Sequence, residues 1–427
     1  MTGANARAFQ KLMENSDQSS VPRRTLGSFD LTCLGWNSVI GSGIFLSQGD
    51  IAARVGPYGP LLFLIGGILC LPIALCFAQL AQRYSGMGGS CLYAREVFGV
   101  RAGFVVGWVM WLSGIIGGAS VAVGFATFVA PDHKQSVAIA LTSALATVNL
   151  VGTLGGAWSN NLLAMVKLGP LLLAGLLGLA SLGPAATLWP AMAMPVQPDW
   201  RLGLLLVLYT YSGFEEIALP AGEARDPQRT VPKATLLVLI SSALLYTVLQ
   251  GVVSQRATWS LGQPLQAAFV DTPWLAQGLA LAALVSLASV NASIAFTTPR
   301  SLWTLAHHGW LPGALLRLHR GAPSLSIVIS ASLTACLIMS QNLEKLMALS
   351  VLASLLQHLA STLACWKLRG WHSWPGIPQV AVAVCLLLLC TSEWKLLIGM
   401  AISLGVGVLI TMWVGRPTRV DESADAW

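Results

Sequence analysis

Gly35-Trp36-Asn37-Ser38-Val39-Ile40-Gly41-Ser42-Gly43-Ile44-Phe45 lies in the middle of the first long apolar segment of the chain. Two glycines flanking a serine inside a helix long enough to cross a bilayer remove side-chain packing and favour local unwinding. Unwinding leaves backbone N–H and C=O groups without partners, which hydrocarbon tolerates only where the backbone is buried in protein or lines a watery cavity. A ligand with donors and acceptors of its own would satisfy them. The helix that restarts at Ile44 presents free N–H groups suited to a carboxylate. A packing contact made by small residues is the other reading of the same triplet, so the rest of the chain has to decide between the two.

Composition decides the class. The chain has 427 residues, 55% hydrophobic and only 10% charged, far below the roughly one-quarter charged content of soluble domains. It reads as an all-α polytopic membrane protein surrounded by lipid. Residues 1–28 are polar, carry Arg7, Lys11, Arg23 and Arg24, and show neither an apolar h-region nor a small-residue cleavage site, so no signal peptide is expected. The net charge of +7 does not indicate a nucleic-acid partner, because its distribution is positive-inside. Seventeen of the 24 Lys and Arg fall in segments placed inside, six outside, and Lys167 within a span. Seven of the eight cysteines sit in apolar runs and Cys91 on a cytoplasmic loop; no disulfide or metal spacing appears.

Windows of about 20 apolar residues give twelve spans. They run 29–54, 59–82, 101–130, 135–153, 158–183, 199–222, 232–253, 273–299, 323–340, 343–367, 376–392 and 395–414. An even count leaves both tails, 1–28 and 415–427, on the cytoplasmic side, and the loops agree: Arg83, Arg95 and Arg101, then Arg225, Arg229 and Lys233, then Arg300, Arg317 and Arg320 fall inside. The sixth span repeats the oddity of the first. Leu208-Tyr209-Thr210-Tyr211-Ser212-Gly213-Phe214-Glu215-Glu216 puts a Ser-Gly pair and two carboxylates deep in an apolar run. Matched interruptions on oppositely directed helices point to a transporter site at a repeat interface. They imply a five-plus-five inverted repeat, 29–183 and 199–367, with discontinuous helices 1 and 6 and two extra C-terminal helices over 376–414.

These residues resemble the amino acid, polyamine and organocation (APC) superfamily of secondary transporters over spans 1 to 10. Gly41-Ser42-Gly43-Ile44-Phe45 is similar to that family's helix 1 break, and Ser212-Gly213-Phe214-Glu215 to its helix 6 break. The run Gly222-Glu223-Ala224-Arg225-Asp226-Pro227-Gln228-Arg229-Thr230-Val231-Pro232-Lys233-Ala234 carries the Gly-Glu, Pro and Pro-x-Ala pattern at the family's spacing, and is the most specific match. Gly88-Gly89 through Phe98-Gly99 resembles a family loop in which Cys91 replaces an aromatic and Ser85 a proline. After span 8, Arg300 and Gly309-Trp310-Leu311-Pro312 match, with His307-His308 in place of a basic-acidic pair. The resemblance implies that the substrate carboxylate meets N–H groups around Gly41, Ser42 and Gly43. It gives the substrate ammonium to carbonyls around Ile40 and from Tyr209 to Ser212, and makes Tyr209, Tyr211 and Phe214 an aromatic floor and lid.

Lys167 is the sharpest single residue. At about 1.5 Å per residue it lies roughly 14 Å into its span, and a mid-membrane lysine costs on the order of 2.5–3.5 kcal/mol even on the lenient insertion scale. A plain role is an ammonium bonded to carbonyls that locks the bundle. The functional one places that ammonium where sodium-coupled relatives of this architecture hold a cation, near the helix 1 break and helix 8, as the resemblance implies for proton-linked members. Lys167 is then the candidate coupling residue, exchanging a proton, with Ser289 and Ser293 as oxygen partners. Glu215 reads as a gate or proton-linked group, by resemblance, and Glu216 as a hydrogen-bonded structural acid. Asp226 and Glu223 read as partners of cytoplasmic arginines.

Span 3 contributes Ser113, Gly114, Ile116, Gly117 and Gly118, uncharged and mostly small, which favours a neutral amino acid over arginine or a polyamine. His358 reads as a polar contact in a helix interface. No His-Glu-x-x-His, P-loop or nucleophile elbow is present, so no enzyme, cofactor or metal is expected. The expectation is a sodium-independent amino acid permease of the inner or plasma membrane, working by proton coupling or exchange. The alternatives are a cationic amino acid or polyamine transporter and, from another class, a transport-inactive amino acid sensor.

Overall fold

The computed structural model describes residues 25–84, 88–151, 157–181, 195, 197–255, 259–319, 322–339, 342–368 and 376–414. Most of the two expected tails lies outside these residues. Among the described residues the structure is helical, apart from two isolated bridges, Leu26 with Ala224 and His319 with Ala322. In chain order the helices are α1 (Ser28–Val39), α2 (Ser42–Val55), α3 (Gly59–Arg83), α4 (Gly89–Phe98), α5 (Val100–Val129), α6 (Lys134–Val151) and α7 (Ala157–Ser181). They continue with α8 (Trp200–Tyr211), α9 (Pro227–Ser254), α10 (Pro273–His307), α11 (Ser324–Ile338), α12 (Leu343–Lys367), α13 (Ile377–Cys390) and α14 (Trp394–Val414).

Seven helical stretches are long and apolar enough to cross a membrane, and an eighth results if the pair Ile377–Cys390 and Trp394–Ile410, bent by 111°, is one span. The sequence expects twelve. Part of the difference is that Ser42–Arg83 counts as one stretch although it joins α2 and α3, read from sequence in two spans, and part is local. α1 and α8 hold only 12 residues each because backbone breaks cut their apolar runs, and α11 holds 15.

Two further expectations are corrected. The segment read as a cytoplasmic loop after span 2 contains α4, a helix bracketed by Gly88 (φ +119°) and Gly99 (φ +93°). Tyr93 and Ala94 on its inner face are buried, and Cys91 donates from within it to the Gly103 carbonyl at 3.3 Å. α10 runs eight residues past its expected end at 299, through Pro299 to His307. The Asp226-Pro227 pair starts α9 as N-cap and first-turn proline, the geometry proline prefers.

The main apolar core gathers the inner faces of α1 to α3, α8 and α9 with parts of α10 and α12. A second cluster joins Phe104, Trp108 and Trp111 of α5 to Leu302, Leu305 and Trp310 near the end of α10. The two broken helices belong to the first of these clusters.

Candidate functional site

The first break falls where the sequence puts it. α1 ends at Val39, Ile40 leaves helical geometry, and α2 restarts at Ser42 with Gly41 as N-cap. Carbonyls freed at the end of α1 are taken by side chains from three other helices. Lys167 Nζ of α7 donates to the Asn37 carbonyl at 3.0 Å and to the Ile40 carbonyl at 3.4 Å. Tyr246 of α9 donates to the Val39 carbonyl at 3.1 Å, and Ser286 of α10 to the Ile40 carbonyl at 2.8 Å. Lys167 is 0% exposed. Its charge meets the negative end of the α1 dipole, which offsets the cost of burying it. On the other side of the gap, α2 begins with no side-chain cap, so its first-turn N–H groups keep the unsatisfied character of any helix start.

The second break is built differently. α8 ends at Tyr211, Gly213 takes φ +118°, and the chain continues as a 3₁₀ turn over Phe214–Ala218. The left-handed region is open to glycine at little cost. Gly213 N–H donates to Glu215 Oε2 at 3.0 Å, so this carboxylate caps the backbone beside it.

The two breaks touch. A Cβ added at Gly213 would lie 2.8 Å from the Ser38 carbonyl, and one at Gly43 would lie 2.7 Å from Thr210 Cα. Gly43 therefore serves the helix crossing, whereas a Cβ at Gly41 would make only ordinary contacts, 3.5 Å from the Ser38 carbonyl and 3.9 Å from Val290, and Gly41 borders the space between the breaks.

That space is a cavity of about 160 Å³ lined by Gly41, Ser42 and Gly43 from the first break and by Tyr209, Ser212, Gly213, Glu215 and Glu216 from the second. Its wall runs along α5 from Val121 back to Met110, along α10 from Val290 out to Ser301, and along α12 from Ser350 to Gln357. All three directions lead to the end of the bundle where Arg300 lies, and Ser293 and Thr297 in that wall are exposed. The opposite end is shut. Ile44, Phe45 and Ile51 of α2 are fully buried, and Gly49 lies against Trp259 and the Gln263 backbone. Arg54 there pairs with Glu344 at 2.6 Å and Asp199 at 3.6 Å, tying α2 to α12 and to the start of α8.

Several expected site residues take other positions. Tyr211 and Phe214 do not line this cavity; they line a separate small void on the far side of the second break. Tyr211 donates to the Phe63 carbonyl at 2.8 Å, and Phe214 stacks on His358 with ring centres 5.2 Å apart. Of the expected aromatics Tyr209 alone faces the cavity, its hydroxyl between Ser42 Oγ (2.5 Å) and Ser120 Oγ (3.0 Å). The Ile40 carbonyl, expected for a substrate ammonium, already accepts from Ser286 and Lys167. Ser289 donates to the Ser286 carbonyl within α10, and Ser293 lines the cavity; the hydroxyl at the break is Ser286. His358, read from sequence as a helix-interface contact, brings Nε2 to 3.5 Å from Glu215 Oε2. Of the residues expected from span 3, Ser113, Gly114 and Gly117 line the cavity and Ile116 and Gly118 do not. Asp226 pairs with Arg229 at 3.8 Å.

A helical membrane protein with two interrupted helices crossing beside a polar cavity open at one end is the class that the fold and site define. A family model described as amino acid permease matches residues 26–415; the chain belongs to the amino acid permease family and is an integral membrane protein. It is 24% identical to a methylthioribose transporter of Bacillus subtilis over 92% of this chain and 94% of that one. It is 22% identical to a branched-chain amino acid permease of the same organism over 96% and 97%. Against cationic amino acid transporter 4 of Homo sapiens it is 27% identical over 87% of this chain and 64% of that protein. These relatives are transporters and permeases, not enzymes.

Proposed function

We propose that this chain is a secondary active amino acid transporter of the plasma membrane that works by alternating access around its two broken helices. The observation that carries the reading is the first break, where one strand of backbone offers free N–H groups to a cavity while its freed carbonyls are held by Lys167, Tyr246 and Ser286. The Gly41 N–H is taken by the Val39 carbonyl at 2.8 Å, and the N–H groups at Ser42 and Gly43 suit the carboxylate common to all amino acids. Twelve spans in a five-plus-five inverted repeat, with both tails cytoplasmic, fit the two breaks and the positive-inside loops. With that orientation the cavity faces the cytoplasm.

In this reading Lys167 supplies the positive charge that a bound cation would otherwise bring to the break. Sodium coupling is then superfluous, and the cycle runs by proton coupling or exchange. Uptake of radiolabelled amino acids into proteoliposomes under imposed pH or sodium gradients tests it. The expected result is uptake indifferent to sodium and sensitive to pH, with the pH sensitivity lost in Lys167→Ala; pH-dependent uptake surviving in that variant would remove Lys167 from the coupling role. The uncharged wall of α5 favours a neutral side chain, but Glu215 and Glu216 share the cavity with it. The class of side chain turns on whether those carboxylates are already compensated.

A further inference from the structure

The two carboxylates at the second break reach the same cavity but have different surroundings. Glu215 is 8% exposed, accepts from Gly213 N–H at 3.0 Å and faces His358 Nε2 at 3.5 Å. Glu216 uses its backbone N–H and carbonyl in the turn, to Gly213 and from Leu219. Glu216 lines the cavity, and among the described residues no side chain or backbone group donates to its carboxylate. The cations within reach of the cavity are committed elsewhere. Lys167 is held on the Asn37 and Ile40 carbonyls, and Arg300 donates to the Phe296 carbonyl at 2.6 Å with its guanidinium over the Phe296 ring.

An uncompensated carboxylate at membrane depth is costly and marks a functional partner. We infer that the cavity selects an amino acid bearing a second positive charge, with Glu216 as the counter-charge of its side chain. This rests on the amino acid transport reading above. The α-carboxylate takes the N–H groups at the start of α2, and the cationic side chain points toward Glu216. Ser293, Thr297, Ser354 and Gln357 in the same wall supply oxygen acceptors for its remaining N–H donors. Aliphatic side chains are a minority of the lining, so a neutral branched chain would leave buried polar groups unpaired, the situation that most strongly disfavours a ligand.

The test compares lysine with norleucine, which has the same carbon chain without the ammonium, by thermal stabilisation of the purified full chain and by competition for uptake in proteoliposomes. Lysine is expected to bind at least tenfold more tightly than norleucine. Glu216→Gln is expected to cut that ratio tenfold or more, and Glu216→Asp, which keeps the charge, to preserve most of it. Norleucine binding as tightly as lysine, or Glu216→Gln leaving the ratio unchanged, overturns this inference and leaves amino acid transport standing. Binding of neither compound, nor of any other amino acid, overturns both.

Discussion

An added methyl at Gly43 would sit 2.7 Å from Thr210 Cα and one at Gly213 would sit 2.8 Å from the Ser38 carbonyl, whereas one at Gly41 meets nothing closer than 3.5 Å. The neighbours at the first two positions are backbone and cannot swing aside. Gly213 also carries φ +118°, which costs an L-residue roughly 1–2 kcal/mol in addition to the clash. Gly43→Ala and Gly213→Ala are therefore expected to destabilise the protein by about 1–3 kcal/mol or more, as overpacked cores do. Gly41→Ala should keep the unfolding temperature of the native chain while lowering substrate affinity. Thermal unfolding of the three variants in detergent, with and without amino acid, checks both. At this scale sequence revealed what was chemically out of place: a glycine pair and a lone lysine in hydrocarbon announce themselves. It did not reveal Ser286. Ser286 and Ser289 are three residues apart, so they differ by about 60° around the helix, and only packed neighbours decide which one meets the break.

Between elements, the Tyr209 hydroxyl links α2 through Ser42 and α5 through Ser120. It joins a broken helix to the unbroken one opposite. Tyr209→Phe removes both bonds but keeps the ring. The expected result is a stability loss of about 1–3 kcal/mol, from two net hydrogen bonds at roughly 0.5–1.5 kcal/mol each, and weaker substrate binding; chemical unfolding and uptake competition measure the two separately. Both breaks were legible because Ser-Gly inside an apolar run has few other readings. The aim of the aromatics beside the second break was not. Tyr211 lies two residues from Tyr209 within α8, about 200° around the helix, and so faces the other side; Phe214 follows the left-handed turn at Gly213, and a helical projection carried straight through the break cannot follow that rotation. α4 was missed for a related reason, since its ten residues carry too little apolar surface to stand out in a 20-residue window.

For the whole molecule, the closed end is fastened by Arg54, which holds Glu344 and Asp199 together from α2. Arg54→Ala is expected to shift the protein away from the state open at the Ser301 end. In a Ser293→Cys background the variant should slow modification by a membrane-impermeant thiol reagent applied from the cavity side, against the rate without the Arg54 change. Unchanged labelling would mean that apolar packing alone keeps that end shut. The all-helical, membrane-embedded class was readable from hydropathy, but the meeting of His358 with Glu215 was not, because their carriers are separated by more than a hundred residues and no local pattern links them. The crossing of the two breaks has a mechanical consequence. At Gly43 and at Gly213 main chain rests on main chain, with no side chain between to change rotamer. The joint thus behaves as a pivot with little play, and the half-helices on either side act as levers about it. In the proposed alternating-access cycle, movement is then expected in the outer arms, near Arg54 at one end and Ser301 at the other, while the fulcrum proposed to hold the ligand keeps its shape.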